Sequence, residues 1–180
     1  YLVCAFDSKG KNFRHEMYEL YKANRPEMPI ELQNQLPHLW EALDALKIPV
    51  IKKKGFEADD IIGTLVIEAE KHGFLSYIVS GDKDFMQLIN DKVFLYAPGN
   101  RKTPDPIVYD AKKVEERWGV PPQKFIDLLG LMGDSSDNVP GVSGIGEKTA
   151  VKLIKEYGSL EGALVNAESV KNKRAQNGLK

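Results

Sequence analysis

The sequence predicts an α/β protein: a parallel sheet with flanking helices, followed by a helical region. Three observations carry this. Short apolar runs at 2–6, 48–51, 74–80 and 93–98 alternate with helix-like stretches, the order of a parallel sheet with right-handed crossovers. From about Asp110 the texture changes to helices with short loops. Acidic residues follow several of the strand-like runs, where open α/β sheets bind their ligands. The predicted division is 1–109 for the α/β core and 110–180 for the helical part.

The first run, LVCAF, ends at Asp7. Residues 11–25 then interleave Lys11, Arg14, His15, Lys22 and Arg25 with Phe13, Tyr18 and Tyr21. That mixture suits a phosphate backbone and stackable bases, and equally a solvated amphipathic helix. Leu32, Leu36, Leu39, Trp40, Leu43 and Leu46 recur at helical spacing and predict a helix against a core, kinked or divided by Pro37. After the strand-like IPVI comes GFEADDIIG, then a helix to about His72 with Gly73 as its stop. FLSYIVS reads as a third strand, FMQLI as a short helix, VFLYAP as a fourth strand and 98–106 as a loop. DAKKVEERWG, QKFIDLLGLMG, TAVKLIKEYG and SLEGALVNA read as helices.

The 180 residues suit one domain, or one domain with an appendage. At 42% apolar and 28% charged they can build a core and a soluble surface. A net charge of −1 argues against a nucleic-acid binder unless charge is segregated, which the 11–25 segment shows. The one cysteine, Cys4, excludes an internal disulfide and fits a reducing compartment. No apolar run approaches the ~20 residues of a membrane span. A start at Tyr1 inside a strand-like run and a Lys-rich end predict a fragment of a longer polypeptide.

Carboxylates cluster in four places: Asp7; Glu57, Asp59 and Asp60; Asp82 and Asp84; Asp134 and Asp137. Each alone reads as a turn or helix cap. Parallel strands deliver their C-terminal ends to one side, so the four should converge. Like charges so gathered raise one another's pKa, and divalent cations would offset them. Oxygen ligands without His or Cys select Mg²⁺ or Mn²⁺, and two such ions ~3.5–4 Å apart suit displacement at phosphorus. The histidines His15, His38 and His72 lie outside these clusters. The turn at 141–149, GVSGIGEKT, fails the Walker A pattern because Glu147 precedes Lys148. A glycine turn opening a helix can still hold a phosphate, with Lys148 adding charge.

FDSKGKNFRHEMYELYKANRPEMP, GFEADDIIGTL, VSGDKDFMQLI and LLGLMGDSSDNVPGVSGIGEKTA together resemble the bacterial 5′-nuclease family, the 5′→3′ exonucleases and flap endonucleases. The resemblance implies a structure-selective nuclease with a PIN-like α/β core, acting in DNA replication and repair, including RNA primer removal. It implies two Mg²⁺ ions, with Mn²⁺ able to substitute. Their ligands or supporting shell would be Asp7, Glu57, Asp59, Asp60, Asp82, Asp84, Asp134 and Asp137, with Asp59 and Asp82 counted as catalytic. Lys22 and Arg25 would act at the scissile phosphate. Arg14, Lys22, Arg25 and Lys83 would contact DNA, as would Gly144, Ile145, Gly146, Lys148 and Thr149 of a helix–hairpin–helix (helix–three-turn–helix) element, which can carry K⁺ on its carbonyls. The implied partners are nicked, flapped or branched duplexes and RNA primer–DNA. A monomeric protein of the bacterial cytoplasm and nucleoid, fused to a polymerase domain, is the implied setting.

The family pattern opens with a strand bearing Asp-Gly, which this sequence lacks. If a longer parent chain supplies that strand, the full protein is expected to be an active enzyme; if none does, the sheet lacks a central strand, and folding and cleavage should be impaired. Two rival readings follow: an inert branched-DNA-binding fragment, and a PIN-like ribonuclease, which would not need the glycine turn.

Overall fold

The computed structural model describes every residue but Lys102, so at that position the expected 98–106 loop lies outside the described residues. The chain forms two compact units, Tyr1–Leu65 with Ser136–Asn138, and Val66–Ser135 with Val139–Lys180.

In unit 1, β1 (Cys4–Ala5) pairs in parallel with β2 (Val50–Ile51), Cys4 opposite Val50. The helix α1 (Phe13–Met17) starts at a capping box: Asn12 Oδ1 accepts the Arg14 and His15 N–H groups, and His15 reaches back to the Asn12 N–H. It stops after five residues, and turns follow to Asn24. The single amphipathic helix considered for 11–25 does not form. Pro37 divides the next helix as expected, into α2 (Ile30–Gln33) and α3 (Leu36–Ala45), and sits in the first turn of α3 where its missing N–H costs nothing. Of the leucine row, Leu43 is buried while Leu32, Leu39 and Leu46 stay exposed. Trp40 meets Phe6 edge to face, ring centroids 4.6 Å apart. The helix α4 (Ala58–Lys71) follows the acidic motif, with Gly73 at φ 78° beyond its end.

In unit 2 a three-stranded sheet runs in the order β3 (Ser76–Val79), β4 (Val93–Ala97), β5 (Ile107–Tyr109). The β3–β4 ladder is parallel, as predicted; β5 is antiparallel and lies past a loop the sequence left unstructured. The FMQLI segment lies in a 3-10 helix, Lys83–Leu88, which starts where the Asp82 side chain caps the Asp84 N–H. Helix α5 (Ala111–Trp118) is capped by Asp110 and ended by left-handed Gly119. After α6 (Phe125–Met132), a short antiparallel hairpin pairs the two-residue strands β6 (Gly133–Asp134) and β7 (Val139–Pro140). Helix α7 (Glu147–Tyr157) ends at Gly158, α8 (Leu160–Val165) starts on Ser159, and α9 (Lys173–Leu179) on Asn172. Fully buried Val114, Phe125, Leu128, Leu131 and Ala150 form the core of these helices. Among the described residues no helix is long and apolar enough to cross a membrane.

Gly133 lets α6 turn into the hairpin. Its φ is +75°, and a Cβ there would lie 2.2 Å from the Gly141 backbone nitrogen. Gly133→Ala should therefore cost about 2 kcal/mol or more, read as a lower urea midpoint at unchanged slope.

Candidate functional site

In unit 1 the site is built on the start of α4. Asp7 Oδ1 accepts the Ala58 N–H at 2.7 Å, and Asp60 Oδ2 accepts the Glu57 N–H at 2.9 Å. Both acids thus satisfy helix N–H groups that have no intrahelical partner. Asp60 also takes a two-pronged contact from Arg14, at 2.9 and 2.7 Å. The Arg14 hydrogen bond, opposed by partial burial, holds the Asp60 pKa below the usual carboxylate range, and the Arg14 guanidinium is held protonated in return.

Glu57 is only 6% exposed. Tyr21 Oη donates to its Oε2 at 2.8 Å, Lys22 Nζ to its Oε1 at 2.5 Å, and Arg14 Nη1 lies 3.3 Å away. Tyr21 Oη is also 2.9 Å from Asp137 Oδ2, so one hydroxyl proton serves two carboxylates. Burial, with those two hydrogen bonds, pushes the Tyr21 pKa far up. Arg25 closes the far side of Asp137 with an ion pair and donates from Nε to the Ser136 carbonyl. Asp59 is half-buried in the first turn of α4.

The backbone is shaped for these contacts. Lys22 has φ 56° and donates its N–H to the Asp137 carbonyl at 2.9 Å. Asn138 has φ 57° and donates from Nδ2 to the Leu20 carbonyl at 2.7 Å. The 18–25 turns and the 136–138 segment are stitched from both sides.

In unit 2, Lys83 Nζ stands 2.6 Å from Asp134 Oδ2 and 3.3 Å from Asp84 Oδ1. Burial works against the Lys83 charge, but the bonds to Asp134 and Asp84 outweigh it and raise its pKa. Burial pushes the Asp84 pKa up; Lys83 opposes this, and repulsion from Asp82 and Asp134 reinforces it. Asp84 Oδ1 is buried without a hydrogen bond of proper geometry among the described residues. A cavity of about 220 Å³ lies alongside, lined by Asp82, Lys83, Met86, Leu95, Tyr109 and Trp118 among others.

At the glycine turn, Gly146 caps α7 with no side chain, and Lys148 is exposed. Gly144 has φ +78°, and a Cβ there would meet the Arg174 Cβ at 3.1 Å. Ile145 is buried and its N–H bonds to Val142, while the Thr149 N–H bonds to Gly146. The Ile145 side chain and both of these N–H groups are therefore engaged inside the fold.

Residues 1–119 match the family model of the 5′-3′ exonuclease N-terminal resolvase-like domain, and residues 120–180 that of the 5′-3′ exonuclease C-terminal SAM fold. The chain belongs to the 5′-3′ exonuclease family. Over 171 residues it is 44% identical to the thermostable DNA polymerase I of Thermus filiformis, covering 94% of this chain and 20% of that one. It is 42% identical over all 180 residues to DNA polymerase I of Bacillus caldotenax, again covering 20% of that protein. The chain thus spans about a fifth of the length of the curated relatives it matches. Among solved structures it resembles the bacteriophage T5 D15 flap endonuclease, in a pseudo-enzyme–product complex with DNA and metal ions, at TM-score 0.79 and 27% identity, covering 98% of this chain and 67% of that one.

This 5′-3′ exonuclease chain gathers Asp7, Glu57, Asp60 and Asp137 within unit 1, and Asp82, Asp84 and Asp134 within unit 2. Among the described residues no three His, Cys, Asp or Glu side chains form a ready ligand set for one ion. The physical reason is that Arg14, Lys22, Arg25 and Lys83 draw the carboxylates toward themselves. The donor chemistry still suits a hard divalent cation. Every candidate ligand is a carboxylate, Asp84 Oδ1 lacks a proper hydrogen bond, and in unit 1 five carboxylates (Asp7, Glu57, Asp59, Asp60, Asp137) outnumber three cations (Arg14, Lys22, Arg25) by two.

Sequence reasoning missed Tyr21 and Asn138 as parts of the site. In the sequence Tyr21 stands out only as an aromatic among basic residues. An Asn directly after an Asp at a turn, able to adopt a left-handed conformation, was the available signal for Asn138.

Tyr21→Phe should cost about 1–3 kcal/mol, because Glu57 and Asp137 lose their shared donor while staying enclosed. Equilibrium unfolding in urea reads this. Arg14→Gln should lower the melting temperature at neutral pH. The gap should close as pH falls through the depressed Asp60 pKa, since a lowered carboxylate pKa stabilises the fold only above that range.

Proposed function

We propose that the chain is the 5′→3′ exonuclease and 5′-flap endonuclease domain of a bacterial DNA polymerase I. It hydrolyses DNA phosphodiester bonds during replication and repair, including RNA primer removal. The observation that carries this is the buried Glu57, ringed by Tyr21, Lys22 and Arg14, in a chain of this family. A charge-dense set of carboxylates mixed with removable cations suits a reaction in which negative charge builds on phosphate oxygens.

Asp7, Glu57, Asp59, Asp60 and Asp137 in unit 1, and Asp82, Asp84 and Asp134 in unit 2, are the residues to hold divalent ions or the ligands themselves. Two Mg²⁺ ions, with Mn²⁺ able to substitute, would supply a water of lowered pKa and charge for the leaving oxygen. Lys22 and Arg25 bind and orient the scissile phosphate, and Arg14 holds Asp60 and Glu57 in place. Lys83 orients Asp84 and Asp134 and adds positive charge for the strand. At the turn, Gly144 and Gly146 bring backbone close to the duplex, Lys148 contacts a phosphate, and Ile145 and Thr149 fix the shape. A K⁺ ion, when bound, would be held by backbone carbonyls of this turn and would add positive charge for the duplex.

Residues 1–109 form the nuclease core and 110–180 the duplex-holding region. The substrates are nicked, flapped or branched duplexes and RNA primer–DNA, and the protein acts as a monomer in the cytoplasm and at the nucleoid, joined to a polymerase domain. Support comes from the DNA-bound relative of similar fold and from the polymerase I relatives.

Cleavage of a 5′-flap duplex should require Mg²⁺ and stop in EDTA, and Asp82→Ala should lower kcat at least about a hundredfold. Cleavage indifferent to EDTA would overturn the metal reading, and equal cutting of single-stranded RNA would favour a ribonuclease. Lys148→Ala should weaken duplex binding and reduce the salt slope by about one unit, with little change in the rate of the bound complex. An unchanged slope would remove Lys148 from the DNA contact.

A further inference from the structure

Of the cations expected at the phosphate, Lys22 is withdrawn from solvent, and Arg25, though its side chain is 47% exposed, is tied down by its partners. Lys22 Nζ is 2.5 Å from Glu57 Oε1 and 3.9 Å from Asp137 Oδ2, and its side chain is only 15% exposed. Arg25 is paired with Asp137 and anchored to the Ser136 carbonyl. Lys22 could have been held elsewhere by a relaxed backbone, yet it sits at φ 56°, an unfavourable region for lysine, with its N–H on Asp137. The carboxylates they hold are themselves candidate ligands for divalent ions. A carboxylate oxygen in a short contact with an ammonium cannot also give its full charge to an ion, so the two kinds of cation compete for the same oxygens.

We propose that Lys22 and Arg25 are stand-in counter-ions, exchanged from carboxylate to phosphate when divalent ions bind. Without ions they neutralise Glu57 and Asp137 and keep the 18–25 turns docked on 136–138. Ion binding takes over that neutralisation and releases both side chains to the substrate phosphate. Ion and phosphate sites are then coupled through these two residues, and the coupling must be reciprocal. The inference rests on the metal and DNA reading above and adds an order to it: Lys22 and Arg25 contribute to DNA affinity only when ions are bound.

The test uses the whole chain, with Ca²⁺ as a probe for hard oxygen sites and a flap duplex carrying a hydrolysis-resistant phosphorothioate at the scissile position. The variant pair is Lys22→Asn, which tolerates a left-handed backbone, with Arg25→Gln; circular dichroism and thermal melting confirm that it folds. Calorimetry should show the variant binding Ca²⁺ about five- to tenfold more tightly than the parent, because no internal ion pair must break first. DNA affinity should differ between variant and parent by under about twofold in EDTA, but by about tenfold or more in Ca²⁺. Equal or weaker Ca²⁺ binding by the variant would overturn the exchange, as would the same loss of DNA affinity in both conditions. Failure of both proteins to bind Ca²⁺ would instead sink the metal reading itself. Should the variant not fold, hydrogen exchange of 18–25 in the parent decides: faster exchange in Ca²⁺ supports release, and unchanged exchange rejects it.

Discussion

A carboxylate that is 6% exposed keeps its charge only if protein groups replace the water it has lost, and Glu57 is in that position. Much of unit 1 answers to this. Tyr21 is buried to bring its hydroxyl to Glu57 and Asp137. Lys22 takes a left-handed backbone so that its ammonium reaches Glu57 while its N–H reaches Asp137. The five-residue α1 ends early enough for the chain to turn back. Breaking one such partnership leaves a charge with nowhere to go, which is why single changes here should be felt more than surface charge changes elsewhere.

Unit 2 solves a related problem differently. Its acids Asp82, Asp84 and Asp134 sit at or near the ends of short elements, and a single lysine, Lys83, balances two of them. One ammonium between two carboxylates leaves Asp84 incompletely satisfied, so repulsion and burial keep its proton affinity high. The glycines act on the same scale of ångströms. Gly133 and Gly141 let backbone pass where a Cβ would overlap it, and this fixes the hairpin that carries Asp134.

Elements whose signals are local were legible in the sequence. Asp110 before an amphipathic run and Gly119 after it define α5, and Ser159 and Gly158 bound α8 and α7 in the same way. Elements that depend on a distant partner were not. The three-residue β5 exists because Leu95 and its neighbours offer an edge, and the β6–β7 hairpin because two glycines allow close approach. Helix α9 lies in a Lys-rich stretch with weak apolar period, yet packing of Ala175 and Leu179 buries one side of it. The 11–25 segment misled most: its composition suits a helix, but the pull of Tyr21 and Lys22 toward Glu57 overrides propensity. The acids were legible as a set, while most of their present partners were not, because ion pairs such as Lys22–Glu57 and Arg25–Asp137, 35 and 112 residues apart, leave no spacing to read.

Whether an acid is a cap or a ligand turns out to be a poor question for this chain. Asp60 caps the Glu57 N–H and at the same time holds Arg14; Asp7 caps Ala58 from another element altogether. Capping aims a carboxylate by fixing one oxygen and leaving the rest of its lone pairs to be used, so the helix end serves as a jig for the charges near it. A hydrophobic replacement of the Glu57 cluster would be more stable by the usual balance of desolvation against attraction. A fold that keeps Asp7, Glu57, Asp59, Asp60 and Asp137 there with Arg14, Lys22 and Arg25 instead forgoes that packing and holds its charges between several partners at once.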